Sequence, residues 1–147
     1  ADTYSGNMKQ FLDETCEVYN KNWSAEEGIL TRVVDEIEAA IQRAIEVFGQ
    51  RNAFSRYTDG EPERRFNRAV FDVMVHSLRQ PAVAELALER ADDIVRTFAQ
   101  LCADDPSFVQ SIATTTKSTD ATNYRFQTWA ASLSELLRVP VDPPAFR

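Results

Sequence analysis

The sequence predicts an all-α fold: a single domain of about six helices, packed as an irregular helical bundle with a proline-rich C-terminal tail. Apolar residues recur three and four positions apart almost throughout, which is the spacing of helices that bury one face. No alternating apolar and polar run is long enough to indicate a half-buried strand. The 147 residues contain only four glycines and no Gly/Ser-rich or charged linker, so residues 1–147 are expected to form one domain.

The first two helices are predicted from continuous apolar faces. The first runs from about Asn7 to Lys21. The second begins at Ser24, because Ser24 followed by Glu27 has the spacing of a capping box. It continues to Phe48, and Gly49 can take the left-handed conformation that ends a helix. The apolar side of the first helix carries Met8, Phe11, Leu12, Thr15, Cys16 and Tyr19.

The middle of the chain is predicted to be a loop followed by a third helix. Residues 50–61 are rich in turn-forming residues, although Phe54 and Tyr57 are apolar enough to hold the loop against the core. Pro62 suits the first turn of a helix, where its missing amide hydrogen would have no partner. That helix includes Phe66 in its apolar stripe and is expected to end near Arg79, before Pro81.

Three more helices are predicted in the C-terminal half. One continuous helix uses apolar residues from Val83 to Leu101, and a short one covers Ser107–Ala113. The polar stretch Thr114–Asn123 is predicted to be a loop that ends in a helix cap at Asp120 or Thr119. The last helix carries an apolar stripe and cannot continue into the prolines that follow it. The stripe is Phe126, Trp129, Ala130, Leu133, Leu136 and Leu137, and the prolines are Pro140, Pro143 and Pro144.

Charge and hydropathy restrict the environment of the chain. The formal net charge is −7, so the overall field repels nucleic acid and anionic membranes. The longest uncharged stretch is far shorter than the roughly 20 apolar residues that span a bilayer. No signal peptide is visible in Ala1–Gln10. We therefore expect a cytoplasmic protein without a membrane partner.

The two cysteines, Cys16 and Cys102, lie in apolar helical stretches. Small thiols in such stretches are commonly buried, so we expect both to be buried and reduced. The alternative is a disulfide or a reactive thiol.

Motifs for catalysis are missing from the sequence. His76 is the only histidine, which excludes zinc motifs that need two, and it is expected to be a structural residue. No glycine-rich phosphate loop is present. Clustered carboxylates such as Asp92 and Asp93 lie on the polar side of their helix, where solvation explains them. We predict no catalytic residue, no metal site and no cofactor.

One basic segment stands out between residues 51 and 68. Arginines interleaved with aromatic residues can hold phosphates while the rings stack on bases. Acidic residues among them cancel much of this charge, which favours salt bridges within the chain or to another domain over contact with nucleic acid. The arginines are Arg51, Arg56, Arg64, Arg65 and Arg68, the aromatic residues Phe54, Tyr57 and Phe66, and the acidic residues Asp59, Glu61 and Glu63.

Four short segments follow one another in an order that carries a resemblance. Tyr4–Glu14 reads YSGNMKQFLDE, Val47–Phe54 reads VFGQRNAF and Arg65–Phe71 reads RFNRAVF. Phe108–Ile112 reads FVQSI and precedes a threonine-rich loop and the pair Arg125-Phe126. Together they resemble the helical region that follows the catalytic domain in a large bacterial family of unknown function. That family is related to the R component of GmrSD-type modification-dependent restriction systems.

The resemblance implies a non-catalytic accessory or interaction domain of a restriction-type or anti-phage protein. The family's ParB-like DGQQR core and HNH nuclease motifs do not occur in this sequence, although full-length relatives resemble NTP-dependent nucleases. The chain is therefore expected to be a fragment whose ParB-like catalytic domain lies upstream. That domain or a second copy is the implied partner, and nucleic acid is expected only through the full-length protein. Phe54, Arg65, Asn67, Phe71 and Arg125 match the motifs and are expected to be structural.

An alternative from a different class also fits the sequence. The chain could be a small stand-alone nucleic-acid-binding protein or nuclease that uses the basic patch from Arg51 to Arg68. The two hypotheses differ in what they require of the arginines. An accessory domain uses them to hold its own fold or a partner domain, whereas a nucleic-acid-binding protein needs them exposed and unpaired.

Overall fold

Helices make up most of the chain, as the apolar spacing predicts. The computed structural model describes residues 8–113 and 118–145. Within these ranges the elements are α1 (Met8–Lys21), α2 (Trp23–Phe48), β1 (Ser55–Thr58), β2 (Glu61–Phe66), α3 (Arg68–Leu78), α4 (Pro81–Leu86), α5 (Ala91–Asp104), α6 (Pro106–Ala113) and α7 (Thr119–Leu137). The described residues separate into two units, one ending at Glu36 and the other beginning at Ile37. The expectation of a single domain stays a prediction.

The N-terminal unit contains α1 and the first part of α2. The first helix agrees with its prediction, but α2 begins one residue before Ser24, so the predicted capping box does not start it. The physical reason lies at Asn22. Its amide donates to Val18 O at 3.2 Å, and its carbonyl accepts from Ala25 N at 2.9 Å. The chain therefore stays close to helical geometry between α1 and α2, and Ser24 lies inside α2.

A β-hairpin replaces the predicted loop and the predicted start of the third helix, so the all-α prediction is wrong at this point. β1 and β2 pair antiparallel, with Thr58 opposite Glu61. The two residues between them, Asp59 and Gly60, have φ angles of 52° and 80°. Two successive left-handed residues make the tight turn that matches the twist of paired strands. Pro62 consequently lies in a strand rather than in a helical turn.

The hairpin is irregular in its second strand and buried along its first. Arg64 has a φ of 55°, at the point where β2 carries more residues than β1 between matched pairs. This irregularity is a β-bulge, which bends a strand and re-aims its side chains. In β1, Ser55 and Tyr57 are buried, and the Tyr57 ring meets the edge of Phe98 at 5.8 Å. The first strand therefore ties the hairpin to the core.

The predicted continuous helix from Val83 to Leu101 is wrong, because two helices, α4 and α5, occupy this stretch. Residues 87–90 separate the two helices, and Arg90, which directly precedes α5, has φ −105° and ψ 21°, outside the helical region. Its Nε donates to Asp93 Oδ2 at 2.7 Å in the first turn of α5. Neither glycine nor proline lies between Leu86 and Ala91, so no sequence signal marks the break.

The last two helices agree with prediction apart from one cap. α6 covers the predicted Ser107–Ala113, and α7 is capped by Ser118, whose Oγ accepts from Ala121 N at 3.4 Å, instead of by Asp120 or Thr119. Four residues of the predicted loop Thr114–Asn123, those at 114–117, lie outside the described residues. For Thr119–Asn123 the loop prediction is wrong, because the Ser118 cap starts α7 at Thr119. Residues 139–145 form neither helix nor strand, as expected for a proline-rich tail.

The core of the C-terminal unit is built around Phe98 of α5. Its ring makes edge-on contacts with rings from four other parts of the unit at centroid distances of 5.3–6.0 Å, a geometry that aromatic pairs prefer. The buried indole of Trp129 donates from Nε1 to Ser77 Oγ at 3.1 Å, which leaves no unpaired donor there. The rings around Phe98 are Phe48, Tyr57, Phe108 and Trp129.

The cysteines differ from the prediction. Both are free thiols, but only Cys102 is buried, whereas Cys16 is exposed. The reason is that α1 lacks a covered face: none of residues 9–36 is buried, although their apolar spacing is helical.

Candidate interaction surfaces

Metal-ligating side chains and surface depressions are the first features that bear on a chemical role. In 8–113 and 118–145, no group of three or more His, Cys, Asp or Glu side chains is placed to hold a metal ion. A shallow depression of about 250 Å³ on α1 is lined only by charged and amide side chains. They are Lys9, Gln10, Asp13, Glu14 and Glu17.

The first surface is the apolar face of the segment 8–36. We call this segment the arm. Six large apolar side chains of the arm are more than a third exposed, including Trp23 at 48% and Ile29 at 57%. Helices gain most of their stability by packing an apolar face, so an uncovered face of this size indicates a missing contact. The six are Leu12, Val18, Tyr19, Trp23, Ile29 and Val34.

The apolar face of α2 is at least partly exposed in the first part of the helix and buried in the second part. From Ile37 onward the helix contributes to the core, where Ala40 and Ala44 are fully buried and Val47 and Phe48 nearly so. The sequence therefore has the same core-like apolar stripe in the N-terminal unit, whose own residues do not bury it.

The second surface is the outer side of the hairpin and the start of α3. Arg51, Arg64, Arg65 and Arg68 are exposed there, and none forms an ion pair within 4.0 Å with another described residue. Phe66 follows Arg64 and Arg65 in β2 and is 64% exposed. We call these five residues the arginine surface.

Arg56 belongs to the basic segment of the sequence but not to this surface. Its guanidinium donates to Glu63 Oε1 from Nη2 at 2.6 Å and from Nε at 2.9 Å. Thr58 Oγ1 donates to the same oxygen at 2.7 Å. These hydrogen bonds, from Arg56 first, hold the pKa of Glu63 below its ordinary value. Arg56 therefore pairs the two strands, as the salt-bridge interpretation expects.

An aromatic cluster supports the exposed ring of Phe66. The ring centroids of Phe54 and Phe71 are 4.9 Å apart, and Phe66 lies 5.7 Å from Phe71 and 6.3 Å from Phe54. Phe54 takes a φ of 61°, a conformation that side-chain-bearing residues rarely adopt. The half-buried rings of Phe54 and Phe71 contact Phe66, which stays exposed and can contact a partner.

Asn67 fixes the junction between the hairpin and α3. Its Oδ1 accepts from Val70 N at 3.1 Å and caps the helix, while its Nδ2 donates to Ile112 O at 2.8 Å. Its amide also donates to Phe54 O at 2.8 Å. Phe54, Asn67 and Phe71, all motif positions of the resemblance, thus lie in one contact region, and their predicted structural role fits this geometry but stays a prediction.

Two motif positions remain: Arg65, which is exposed and belongs to the arginine surface, and Arg125, which is a buried cation on α7. Arg125 is 3% exposed, and its Nη1 donates to Ser111 O at 3.4 Å. Its Nε has no hydrogen-bond partner among the described residues. Burial lowers the pKa of Arg125, and the charge of Asp72 acts in the opposite direction. Burial raises the pKa of Asp72, and the charges of Arg68 and Arg125 act in the opposite direction. The contacts are internal, so Arg125 does not belong to the arginine surface.

His76 is hydrogen-bonded to the C-terminal tail. Its Nε2 donates to Asp142 O at 2.8 Å, and its ring meets the edge of Phe126 at 5.4 Å. Gln80 Nε2 donates to the same carbonyl at 2.8 Å, and Gln80 Oε1 accepts from Asp142 N at 2.9 Å. His76 and Gln80 together hold the tail, which agrees with a structural histidine.

Comparisons with known proteins add no relative. No family model matches the chain, and no curated protein or solved structure is significantly similar to it. The resemblance to the GmrSD-related family therefore stays a prediction. Among the described residues, no helix is long and apolar enough to cross a membrane.

Sequence reasoning found the arginines but missed the exposure of the arm. The spacing predicts a buried apolar face that includes Leu12 and Tyr19, but spacing alone does not tell what covers a helix. The available signal was the length of the stripe, which runs from α1 to the end of α2. A 147-residue domain has limited core surface for so long a helical face.

Proposed function

We propose that this chain is a non-catalytic helical interaction domain of a cytoplasmic restriction-type or anti-phage protein. Its arm binds either the ParB-like domain of the same protein or a second copy. The uncovered apolar face of the arm carries this proposal, because Trp23 and its five exposed apolar neighbours need a partner. The resemblance supplies the class of protein and the kind of partner domain.

The test uses Trp23 as a probe of whether the face is covered. Only two tryptophans are present, and Trp129 is buried, so a Trp129→Phe variant reports on Trp23 alone. On addition of a ParB-like domain from the same protein, or on raising the chain concentration, we expect Trp23 emission to shift to shorter wavelength. Quenching by acrylamide should fall at the same time.

Two variants make the test specific. Tyr19→Asp lies on the exposed face and should abolish the shift, whereas Leu88→Asp replaces an exposed apolar residue of the other unit and should leave it unchanged. Trp23 emission that stays typical of an exposed indole under every condition would contradict the proposal. Hydrolysis of nucleotide or nucleic acid by the chain alone, lost on His76→Ala, would also contradict it.

The second candidate function is nucleic-acid binding by the arginine surface. The observation that favours it is that Arg51, Arg64, Arg65 and Arg68 are exposed without ion-pair partners in the described chain, beside the exposed ring of Phe66. This function requires DNA or RNA binding that weakens with salt and with the double variant Arg64→Glu, Arg65→Glu. Undetectable binding at low salt would remove it.

A further inference from the structure

The arm is acidic as well as apolar. Residues 8–36 contain three basic and seven acidic residues, which gives a net charge of −4. Two of the three bases are engaged inside α1, where Lys9 pairs with Asp13 at 3.7 Å and Lys21 with Glu17 at 2.7 Å. The remaining base is Arg32, and the acidic residues outside these pairs are Glu14, Glu26, Glu27, Asp35 and Glu36.

Acidic side chains border the apolar face of the arm. At about 100° per residue, Glu27 and Glu36 lie on opposite edges of the α2 stripe that contains Leu30 and Val33. Both glutamates are exposed. A partner that covers the apolar face therefore meets negative charge on both edges, so a face with its own positive charge fits best.

The arginine surface has the complementary chemistry. Residues 51–68 hold five arginines against three acidic residues, and Arg56 is already paired with Glu63. Exposed Phe66, supported by Phe54 and Phe71, supplies an aromatic contact for Leu12, Tyr19 or Trp23. Buried aromatic anchors ringed by charge are typical of the centres of protein interfaces.

Other pairings fit the charges less well. Pairing two arms would bring together two segments of net charge −4, and like charges across an interface oppose binding. For nucleic acid, the net charge of the basic segment is only +2 within a chain of −7, because Asp59 and Glu61 stand among the arginines. An acidic helix carries less negative charge than a phosphate backbone, so it needs less positive charge on the surface that binds it.

We propose that the arm of one copy lies on the arginine surface of a second copy, and that two chains exchange arms in a reciprocal dimer. This inference rests on the proposed function and names its partner. Two chains related by a two-fold axis make this contact twice, once in each direction. Both arms and both arginine surfaces are then occupied, so no third chain can add. The contact joins the apolar face around Tyr19 and Trp23 to Phe66, with the glutamates against the arginines.

The test is a charge exchange between two variants of the full chain, followed by sedimentation equilibrium. One variant carries Arg64→Glu and Arg65→Glu, and the other carries Glu27→Lys and Glu36→Lys. Each alone should dissociate about tenfold or more readily than the unmodified dimer, because like charges meet. Mixed together, they should form a heterodimer of near-normal affinity, since both contacts then join opposite charges. Salt at about 0.5 M should weaken the unmodified dimer relative to about 0.05 M.

Control variants distinguish the effect of the charge reversals on the dimer from a general loss of structure. Arg96→Glu on α5 reverses an exposed charge outside both surfaces and should leave the dimer unchanged. Phe66→Asp should break the dimer, whereas Leu88→Asp, at another exposed apolar residue, should not. Circular dichroism of each variant checks that the helices remain.

Three outcomes overturn the proposal. A chain that is monomeric at all concentrations excludes exchange between copies, while covering of Trp23 by a ParB-like domain would still support the proposed function. A dimer insensitive to Arg64→Glu with Arg65→Glu places the contact elsewhere, as pairing of arms would. Nucleic-acid binding by a monomer, lost in that double variant, assigns the arginine surface to nucleic acid instead.

Discussion

Arg138 shows how a single residue ends a helix at a cost. It closes α7 with a φ of 59°, and its amide donates to Ser134 O at 3.0 Å. A side-chain-bearing residue in this left-handed conformation costs roughly 1–2 kcal/mol, which glycine avoids at some loss of chain entropy. Arg138→Gly should therefore raise the free energy of unfolding by about 0.5–1 kcal/mol, as measured by urea denaturation.

Glu135→Gly in the same helix is the matched control. Glu135 is exposed and helical, so glycine there should lower the free energy of unfolding by about 1 kcal/mol. If Arg138→Gly destabilises the protein as Glu135→Gly does, then the left-handed end of α7 is not the source of strain.

The two thiols provide a second prediction for single residues. Cys16 is exposed, whereas Cys102 is buried and burial raises the pKa of its thiol, so little reactive thiolate forms there. A thiol reagent should label one cysteine in the folded protein and both in denaturant. Cys16→Ser should remove the labelling of the folded protein, and rapid labelling of that variant would show that Cys102 is accessible.

At the level of elements, the Arg56–Glu63 pair links the strands of the hairpin and predicts a pH dependence. The pKa of Glu63 lies below its ordinary value of 4.5, because the charged carboxylate accepts from Arg56 and Thr58. The pair therefore stabilises the fold above about pH 4.5, and this stabilisation disappears as the pH falls through the lowered pKa. Both side chains are less than a third exposed.

A double-mutant cycle with Arg56→Ala and Glu63→Gln measures this coupling. We expect about 0.5–1 kcal/mol near pH 7 and a value close to zero near pH 3. The exposed Lys9–Asp13 pair, with 3.7 Å between Nζ and Oδ2, should show almost no coupling at either pH. A coupling for Arg56–Glu63 that persists unchanged near pH 3 would contradict an ionic origin.

The hairpin and the α4–α5 break show what sequence could and could not predict for elements. Asp59-Gly60 is a strong turn signal, so the hairpin was predictable, but Pro62 favoured a helical start and the irregular β2 lacks alternation. The break at Arg90 was not predictable, because no glycine or proline marks it. Helix identity followed from apolar spacing, whereas caps such as Ser118 depended on side-chain geometry.

At the scale of the whole molecule, the candidate surfaces depend on contacts that sequence does not encode locally. The arginines were recognisable from composition, but only the structure separates Arg56, which is paired with Glu63, from Arg64 and Arg65, which form no ion pair with residues in 8–113 or 118–145. Burial of Arg125 was equally hidden, because a polar position next to Phe126 also fits an exposed turn of helix. The arm is apolar by sequence and uncovered by structure, and this combination makes it the centre of the account.

Amide hydrogen exchange over a range of protein concentrations tests that claim most directly. In dilute protein, amides of residues 8–36 should exchange close to their intrinsic rates, while amides of α3, α5 and α7 exchange slowly through global unfolding. At concentrations where the chain associates, the arm should become at least about tenfold slower and the core helices should change little. Arm amides that exchange as slowly as those of α5 at every dilution would contradict the account, because the arm would then be covered within one chain.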